Sequence, residues 1–170
     1  LGFSKKIFIF DCLSFNPSKF LKGYMEDNTY LKIFHSVRSD STVIKNCLGL
    51  KINNVFDIQI AEKEISNEGI KNYASIVDDY FSVNLDKAQT NSNWLKRPLT
   101  YEQLKYAYED VDFLIEIYQI QKRILYKKNI LKKILRLSQE EAELGNEDLK
   151  INRFNKRKNK MKKKEKEVFL

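Results

Sequence analysis

The sequence has few of the residues that build zinc sites, disulfide frameworks or membrane spans. Its 170 residues include two cysteines, far apart and in no Cys-x-x-Cys motif, and a single histidine. A zinc site or a disulfide framework is therefore not expected. No apolar run reaches the roughly 18 residues that a membrane span needs, and no secretory signal is visible. These absences predict a protein without membrane attachment in a reducing compartment, the cytoplasm.

The net charge of +8 lies in one segment of the chain. Residues 150–170 hold ten Lys or Arg and two Glu, 10 − 2 = +8, whereas residues 1–149 hold 21 basic and 21 acidic residues. A charge run of this kind cannot bury an apolar core, so we predict a disordered basic tail. Such a tail can contact nucleic-acid phosphates independently of the remaining chain.

Short apolar runs alternate with helical patterns in the first half of the chain. Strands are predicted over residues 6–11 and 32–35 and from residue 55. Helices are predicted after Asn16 and Pro17, over residues 37–48 with Gly49 closing the helix, up to residue 65, and over residues 72–83. Strands that alternate with helices indicate an α/β layered domain.

The clearest helical pattern begins after Pro98 and runs to Tyr118. Thr100 and Gln103 form a capping-box signature, which predicts a helix start near Tyr101. Apolar residues then recur at the spacing of a buried stripe. The stripe consists of Leu104, Ala107, Tyr108, Val111, Leu114, Ile115 and Tyr118. We expect it to face the core.

Tyr106 and Asp110 lie one helical turn apart at the edge of that stripe. A carboxylate in an otherwise apolar row costs free energy to bury unless a cation or hydrogen-bond donors meet it. Spacing alone allows two interpretations. Either the tyrosine hydroxyl bonds a peripheral aspartate, or a cleft is present in which Asp110 holds a metal and Tyr106 orients a water molecule.

Asp40 raises the same question on the helix predicted over residues 37–48. It shares a face with three apolar residues, but with serines on both sides it is an equally good helix cap. If two carboxylates approach one cleft, their oxygens suit Mg²⁺ or Mn²⁺ and not zinc. Two such metals can activate water at a phosphodiester, although a two-metal site normally takes more than two carboxylates.

Residues 85–99 form a polar, turn-rich stretch that contains the only tryptophan. A loop of this length inside a compact domain is more often functional than neutral. Trp94 either plugs the core, as a lone tryptophan usually does, or takes part in binding. Basic and amide side chains around an aromatic ring tend to contact nucleic-acid phosphates. The candidates are Lys87, Gln89, Asn91, Ser92, Lys96 and Arg97.

Beyond Tyr118 the helix is predicted to continue or restart through Leu137, with apolar residues alternating with seven Lys or Arg. Most basic amphipathic helices pack their apolar face on their own domain, and a minority lie on membranes or RNA. Residues 138–149 are acidic and are predicted to form a loop. Residues 126–149 thus form a separate unit, a basic helix and an acidic loop, ahead of the tail.

Three segments together resemble ribonuclease D and its relatives, the DEDDy branch of the 3′-5′ exonucleases with a ribonuclease H-like fold. Residues 31–61 have the form of the second exonuclease motif and the strand after it. Residues 72–118 resemble the stretch through the third motif, whose Tyr-x-x-x-Asp core is Tyr106 to Asp110 here. The run IFIFDCLSF resembles a strand shortly before them, so the resemblance covers about residues 3–125.

The resemblance implies an α/β fold with a ribonuclease H-like mixed sheet flanked by helices. This sheet lacks its first strand or strands, and a helical extension follows at the C-terminal side. The resemblance also implies that Asp40 and Asp110 hold Mg²⁺ or Mn²⁺ and that Tyr106 positions the attacking water. Asp57 and Gln59 match an FDxQ pattern that is structural or lines the substrate.

The implied reaction is hydrolysis of the 3′-terminal phosphodiester of RNA, such as a tRNA precursor, by a two-metal mechanism. Single-stranded DNA is the alternative substrate, and neither a membrane nor an obligate protein partner is implied. The residues expected to bind the substrate are Lys87, Gln89, Trp94, Lys96 and Arg97.

The sequence departs from the family pattern at its start. Family members begin with a strand that bears an Asp-x-Glu pair, the source of two more metal carboxylates, and this sequence starts after that position. Asp11 matches a later strand and lacks the paired glutamate. We therefore expect a partial, N-terminally truncated exonuclease domain over residues 1–125. The alternative is a catalytically inactive exonuclease-like module that binds nucleic acid.

Overall fold

The computed structural model describes residues 2–3 and 6–145, and within them the chain forms four strands and seven helices. The strands are β1 (Gly2–Phe3), β2 (Lys6–Ile7), β3 (Lys32–Phe34) and β4 (Val55–Asp57). The helices are α1 (Ser18–Met25), α2 (Val37–Leu48), α3 (Ile58–Ser66), α4 (Tyr73–Phe81), α5 (Tyr101–Asp112), α6 (Leu114–Lys127) and α7 (131–145).

The parallel strands β3 and β4 form the centre of the domain. Lys32 lies opposite Val55 and Phe34 opposite Asp57, and α2 provides the crossover that a parallel pair requires. All three residues of β4 are buried. The strands β1 and β2 form a separate antiparallel pair. Parallel strands connected through helices confirm the predicted α/β class.

The main core lies on α3, α4, α6 and α7 around β4. Its fully buried side chains include Phe56, Ile76, Ile117 and Leu125. The rings of Phe56 and Tyr118 pack edge to face, with their centroids 4.8 Å apart. Burying side chains of this size stabilises the fold by about 1.5–3 kcal/mol each. This core fixes β4 and the start of α6, and thereby the elements that surround the candidate site.

Helix α7 covers the outer side of β4. The Asp57 N–H donates to Ser138 Oγ at 2.9 Å, and Gln139 Nε2 donates to the Ile52 carbonyl at 3.2 Å. A helix in this position shields backbone groups that an edge strand would otherwise expose. Ser41 Oγ also donates to the Ala142 carbonyl at 2.6 Å, which joins α7 to α2.

The predicted acidic loop over residues 138–149 is wrong for residues 138–145, which are helical. Ser138, Ala142 and Gly145 lie on one face of α7 and are all buried. A side chain at position 145 would collide with the backbone carbonyl of Arg38. Small residues thus allow α7 to approach α2 closely, and a search for large apolar side chains at helical spacing misses such a face. Residues 146–149 and the tail at 150–170 lie outside the described residues.

Two further expectations fail at the surface. The strand predicted over residues 6–11 is limited to Lys6–Ile7, and Phe8 and Ile9 are each 47% exposed, because in the described part of the chain β1 is its one pairing partner. On α5, Leu104 and Tyr108 are 40% and 45% exposed, so the stripe does not face the core there. The helix breaks between α5 and α6 and resumes in a phase that buries Ile117.

The predicted signals at two helix ends are confirmed. Helix α2 spans residues 37–48 and ends at Gly49, whose φ of 71° is left-handed. The capping box is complete: the Thr100 N–H donates to Gln103 Oε1 at 3.0 Å, and the Gln103 N–H donates to Thr100 Oγ1 at 3.2 Å. Both cysteines are free. Among the described helices, none combines the length and apolar character needed to cross a membrane.

Candidate active site

The buried carboxylate of Asp57 joins the N-termini of α2 and α3. It accepts hydrogen bonds from the backbone N–H groups of Ser36 at 3.1 Å, Val37 at 2.7 Å and Gln59 at 2.8 Å. Ser36, in the capping position of α2, has a left-handed φ of 62° and makes no side-chain cap. The interpretation of Asp40 as the helix cap is therefore wrong, because Asp57 performs that role.

Asp40 lies on the first turn of α2, where its side chain remains accessible to solvent. Its pKa is raised from the ordinary 3.8 to about 6. The largest cause is desolvation by surrounding protein, and the negative charges of Asp57 and Asp110 add to it. Like charges disfavour ionisation only when they lie within electrostatic range. Asp40 and Asp110, on two separate helices, therefore lie within electrostatic range of each other.

Asp110 lies on the last turn of α5, and desolvation also raises its pKa. The charge of His35 acts in the opposite direction, so the imidazole lies within electrostatic range of this carboxylate. His35 Nε2 lies 3.2 Å from the Lys71 carbonyl and 3.2 Å from Gln59 Nε2. Gln59 and Lys71 thus hold the imidazole whose charge lowers the pKa of Asp110.

The two aspartates offer the kind of donor atoms that a hard cation takes. Carboxylate oxygens are the ligands that Mg²⁺ and Mn²⁺ prefer. Among the described residues, however, no group of three or more His, Cys, Asp or Glu side chains could hold a metal ion. Asp40 and Asp110 therefore fit such a cation in chemistry and could provide a fraction of its ligands.

Tyr106 projects toward the loop over residues 85–99. Its hydroxyl lies 3.2 Å from Thr90 Oγ1, and its ring lies 5.8 Å from the ring of Trp94. Trp94 is half-buried, and its Nε1 donates to the Gln89 carbonyl at 3.1 Å. Trp94 thus packs against Tyr106 outside the main core, which excludes the core-plug interpretation.

Arg97 fastens this loop to the segment after β2. Its guanidinium donates to both carboxylate oxygens of Asp11, from Nε at 2.8 Å and from Nη2 at 2.6 Å. Nη1 also donates to the Trp94 carbonyl at 2.8 Å. The side chains of Lys87 and Lys96 are exposed. Of the predicted substrate-binding residues, Arg97 is thus committed to an internal ion pair.

Sequence reasoning missed the partners that hold the site in place. Asp11 pairs with a residue 86 positions away, and Asp57 bonds residues 20 and 21 positions away. No local pattern identifies such partners. The available signal was the FDxQ match, which indicated a structural or substrate-lining role for Asp57. Thr90 gave no signal beyond its place in a long polar loop.

Two clefts lie elsewhere on the molecule. One, of about 350 Å³, is lined on one side by Ser36, Asp57 and Gln59 and on the other by α7. The other, of about 520 Å³, is lined by residues such as Asn54 and Gln139. Neither is lined by Asp40, Tyr106 or Asp110. The candidate site is thus distinct from both clefts.

The chain resembles known proteins in sequence. Residues 1–125 match the model of a family described as 3′-5′ exonuclease. Ribonuclease D of Desulfotalea psychrophila is 31% identical over 142 residues, which cover 84% of this chain and 37% of that protein. Ribonuclease D of Xanthomonas oryzae is 30% identical over 131 residues, or 77% of this chain and 36% of that protein. The chain therefore spans little more than a third of the length of these relatives.

Solved structures show the same fold. Escherichia coli RNase D, described as an exoribonuclease involved in structured RNA processing, matches with a TM-score of 0.72 and 27% identity over 78% of this chain and 36% of that one. Brucella melitensis NrnC bound to pGG matches with a TM-score of 0.70 and 25% identity over 76% of this chain and 63% of that one. The resemblance to ribonuclease D is confirmed, and because the family model matches most of its length, the chain belongs to the 3′-5′ exonuclease family.

Proposed function

We propose that this protein hydrolyses the terminal phosphodiester at the 3′ end of RNA and releases nucleoside 5′-monophosphates. The observation that carries the proposal is the proximity of Asp40 and Asp110, which is close enough for one negative charge to raise the pKa of the other carboxyl. Two carboxylates that repel each other are held together at a cost in free energy unless a cation lies between them. This is the arrangement expected of a metal-dependent hydrolase.

Asp40 and Asp110 are the residues that would hold Mg²⁺ or Mn²⁺. When bound, a divalent cation of this kind would polarise the phosphoryl oxygens and lower the pKa of water, and two such cations would supply the two-metal mechanism. Asp40 lies on α2, whose N-terminus Asp57 holds. Asp110 lies three residues before Phe113, whose N–H donates to the hydroxyl of the core residue Tyr73 at 3.2 Å. Their separation is therefore set before substrate arrives, which favours a preorganised site.

Tyr106 positions the attacking water in this proposal. Thr90 bonds its hydroxyl and Trp94 packs on its ring, so its side chain is restrained from two directions. A hydroxyl held at a fixed point can orient a water molecule for in-line attack. Arg97 contributes by anchoring the loop to Asp11, so that Trp94 and Thr90 keep their positions.

The substrate is proposed to lie along the loop over residues 85–99. Lys87 and Lys96 are exposed and can contact phosphates, and Gln89 and Trp94 lie beside Tyr106 where a terminal nucleotide would bind. RNA is favoured because the relatives are ribonucleases by name. Processing of tRNA 3′ ends is the specific form that we propose, with single-stranded DNA as the competing substrate.

The direct test uses a 5′-labelled RNA oligonucleotide with the chain and either Mg²⁺ or Mn²⁺. We expect a ladder that shortens from the 3′ end, nucleoside 5′-monophosphate as product, and no ladder when the 3′ end carries a phosphate. Asp110→Asn should abolish the ladder, whereas Asp112→Asn, the same change on the same helix, should keep it. Internal cleavage, or an unchanged ladder with Asp110→Asn, contradicts the proposal. RNA that is bound and left intact with both metals supports the inactive binding module instead.

A further inference from the structure

The second half of α6 and the start of α7 form a strongly basic segment. Between Glu116 and Glu140 the sequence has seven Lys or Arg and no acidic residue. Three of the seven bond a carboxylate or a backbone carbonyl, and Lys122 also lies over the Tyr118 ring, 5.7 Å from its centroid. Lys133 pairs with Glu64 at 2.7 Å and Arg136 with Glu140 at 2.6 Å, and Lys128 donates to the Ile65 carbonyl at 3.0 Å.

The other four, Lys122, Arg123, Lys127 and Lys132, form no ion pair with any described carboxylate. Three of them are arranged with Tyr126 at positions i, i+1, i+4 and i+5 on the exposed side of α6. We call Lys122, Arg123, Tyr126 and Lys127 the α6 basic face. Cations that have no carboxylate partner and are grouped on one helix face create a positive potential that attracts polyanions.

An exposed aromatic ring lies in the middle of this positive charge. Tyr126 is 77% exposed, with Arg123 three residues before it and Lys127 immediately after it. The negative end of the helix dipole explains cations near a helix C-terminus, but it does not explain an exposed tyrosine among them. Basic side chains that follow a backbone, together with an aromatic ring on which a base stacks, are the features of single-strand binding sites.

We propose that the α6 basic face binds single-stranded RNA upstream of the 3′ end, with the cations on phosphates and Tyr126 stacked on a base. The identity of the strand rests on the proposed function. Helix α6 begins four residues after Asp110, and its rise from Leu114 to Tyr126 is about 18 Å. One RNA strand can therefore extend from the candidate site to this face.

A membrane surface is the competing polyanion, and the packing of the segment disfavours it. Leu125 and Ile134 are fully buried, and Ile130 and Leu131 pack against the same core. The exposed side of α6 at positions 119, 122, 123, 126 and 127 contains no aliphatic residue. A helix that lies in a bilayer interface needs an exposed apolar face.

The test measures binding of a labelled 12-nucleotide RNA to the full chain by fluorescence anisotropy, without divalent metal and over a series of salt concentrations. The slope of the logarithm of the RNA association constant against the logarithm of salt concentration is negative. Arg123→Gln with Lys127→Gln should reduce its magnitude by about 1.4, because single strands release about 0.7 counterions per neutralised phosphate. Tyr126→Ala should weaken binding by roughly 10-fold with the slope unchanged. Lys19→Gln with Lys51→Gln, two exposed lysines away from α6, is the matched control and should change neither quantity.

The inference would be overturned if the double variant and the control had equal salt slopes. It would also be overturned if the double variant lost binding to phosphatidylserine vesicles but kept its binding to RNA. Failure of the proposed function can be told apart from failure of this inference. In that case the wild-type protein does not hydrolyse the 3′ end, but the double variant still changes the salt slope. If hydrolysis occurs, the double variant should degrade a dinucleotide at the wild-type rate and the 12-nucleotide RNA more slowly at low substrate concentration. Equal slowing on both substrates would also count against a separate RNA-binding face.

Discussion

Two carboxylates near the N-terminus of α2, Asp57 at the end of β4 and Asp40 on α2 itself, have opposite surroundings. Asp57 is 2% exposed and accepts three backbone hydrogen bonds that hold two helices in place. Asp40 is solvent-accessible, accepts no side-chain hydrogen bond from a described residue, and has Asp57 and Asp110 as negative neighbours. A carboxylate with a full set of donors serves the fold. One that is surrounded by like charge indicates a site for a cation.

The largest effect is expected from a substitution that should lower activity but not the stability of the fold. Asp110→Asn should lower the rate of 3′ hydrolysis by about 10³-fold or more, because it removes a ligand of the cation that stabilises the transition state. The free energy of unfolding should not fall, because the substitution removes a charge that its surroundings disfavour. Single-turnover kinetics and urea denaturation of the same sample check both parts. A parallel loss of stability and activity would mean that Asp110 is structural.

The converse variant is Asp57→Asn. It places an amide N–H₂ against backbone donors, and we expect a loss of about 3 kcal/mol in the free energy of unfolding, since unsatisfied buried groups cost about 1–3 kcal/mol each. Urea denaturation measures it. Asp27→Asn, which alters a partly exposed aspartate that accepts one backbone N–H at 2.7 Å, is the control and should lose much less. Equal losses of stability in Asp57→Asn and Asp27→Asn would contradict the structural role assigned to Asp57.

Tyr106→Phe tests the positioning of water. The substitution deletes the hydroxyl that bonds Thr90 and keeps the ring contact with Trp94. We expect kcat to fall on the order of 10²-fold with KM within about twofold, as for loss of a group that acts on the proton or water in the transition state. Thr90→Val is the companion variant and should show a smaller fall of the same kind. A rise in KM with kcat unchanged would reassign Tyr106 to substrate binding.

The smallest effect is a gain in stability from Asp40→Asn. The raised pKa means that the folded state holds the proton of Asp40 more tightly than the unfolded state, so stability falls as pH rises from about 4 to about 6. Above that range the charge destabilises the fold, and its removal should stabilise the protein at pH 7.5 by roughly 1 kcal/mol after allowance for solvent screening. The gain should vanish near pH 4. Asp78→Asn, at an exposed position of α4, controls for charge removal, and a loss of stability in Asp40→Asn would contradict the description of the site.

Local signals predicted much of the secondary structure. Helix α2 and the capping box of α5 follow from residues adjacent in sequence, and they were predicted at the observed bounds. The failures lie where burial depends on distant partners. Phe8 and Ile9 have the composition of a buried strand but are half-exposed. The second half of α7 is held by small residues that no apolar periodicity marks.

The candidate site was predictable in part. Asp40, Tyr106 and Asp110 could be named from motif spacing, and the structure brings the two aspartates within electrostatic range. Their roles stay predictions. The supporting contacts of Asp57 and Asp11 could not be foreseen, because each joins segments separated by 20 residues or more. Sequence patterns thus identified the groups proposed to react but not those that hold them.

The central claim is that Asp40 and Asp110 share one divalent cation. Its most direct test is paramagnetic broadening by Mn²⁺ in the amide NMR spectrum of the ¹⁵N-labelled chain. We predict that the signals of residues 40 and 110 broaden together at the lowest Mn²⁺ concentrations, and that Asp110→Asn abolishes the effect at both positions. Broadening at residue 40 that persists in Asp110→Asn, or that begins at the glutamates of α7, would contradict the claim.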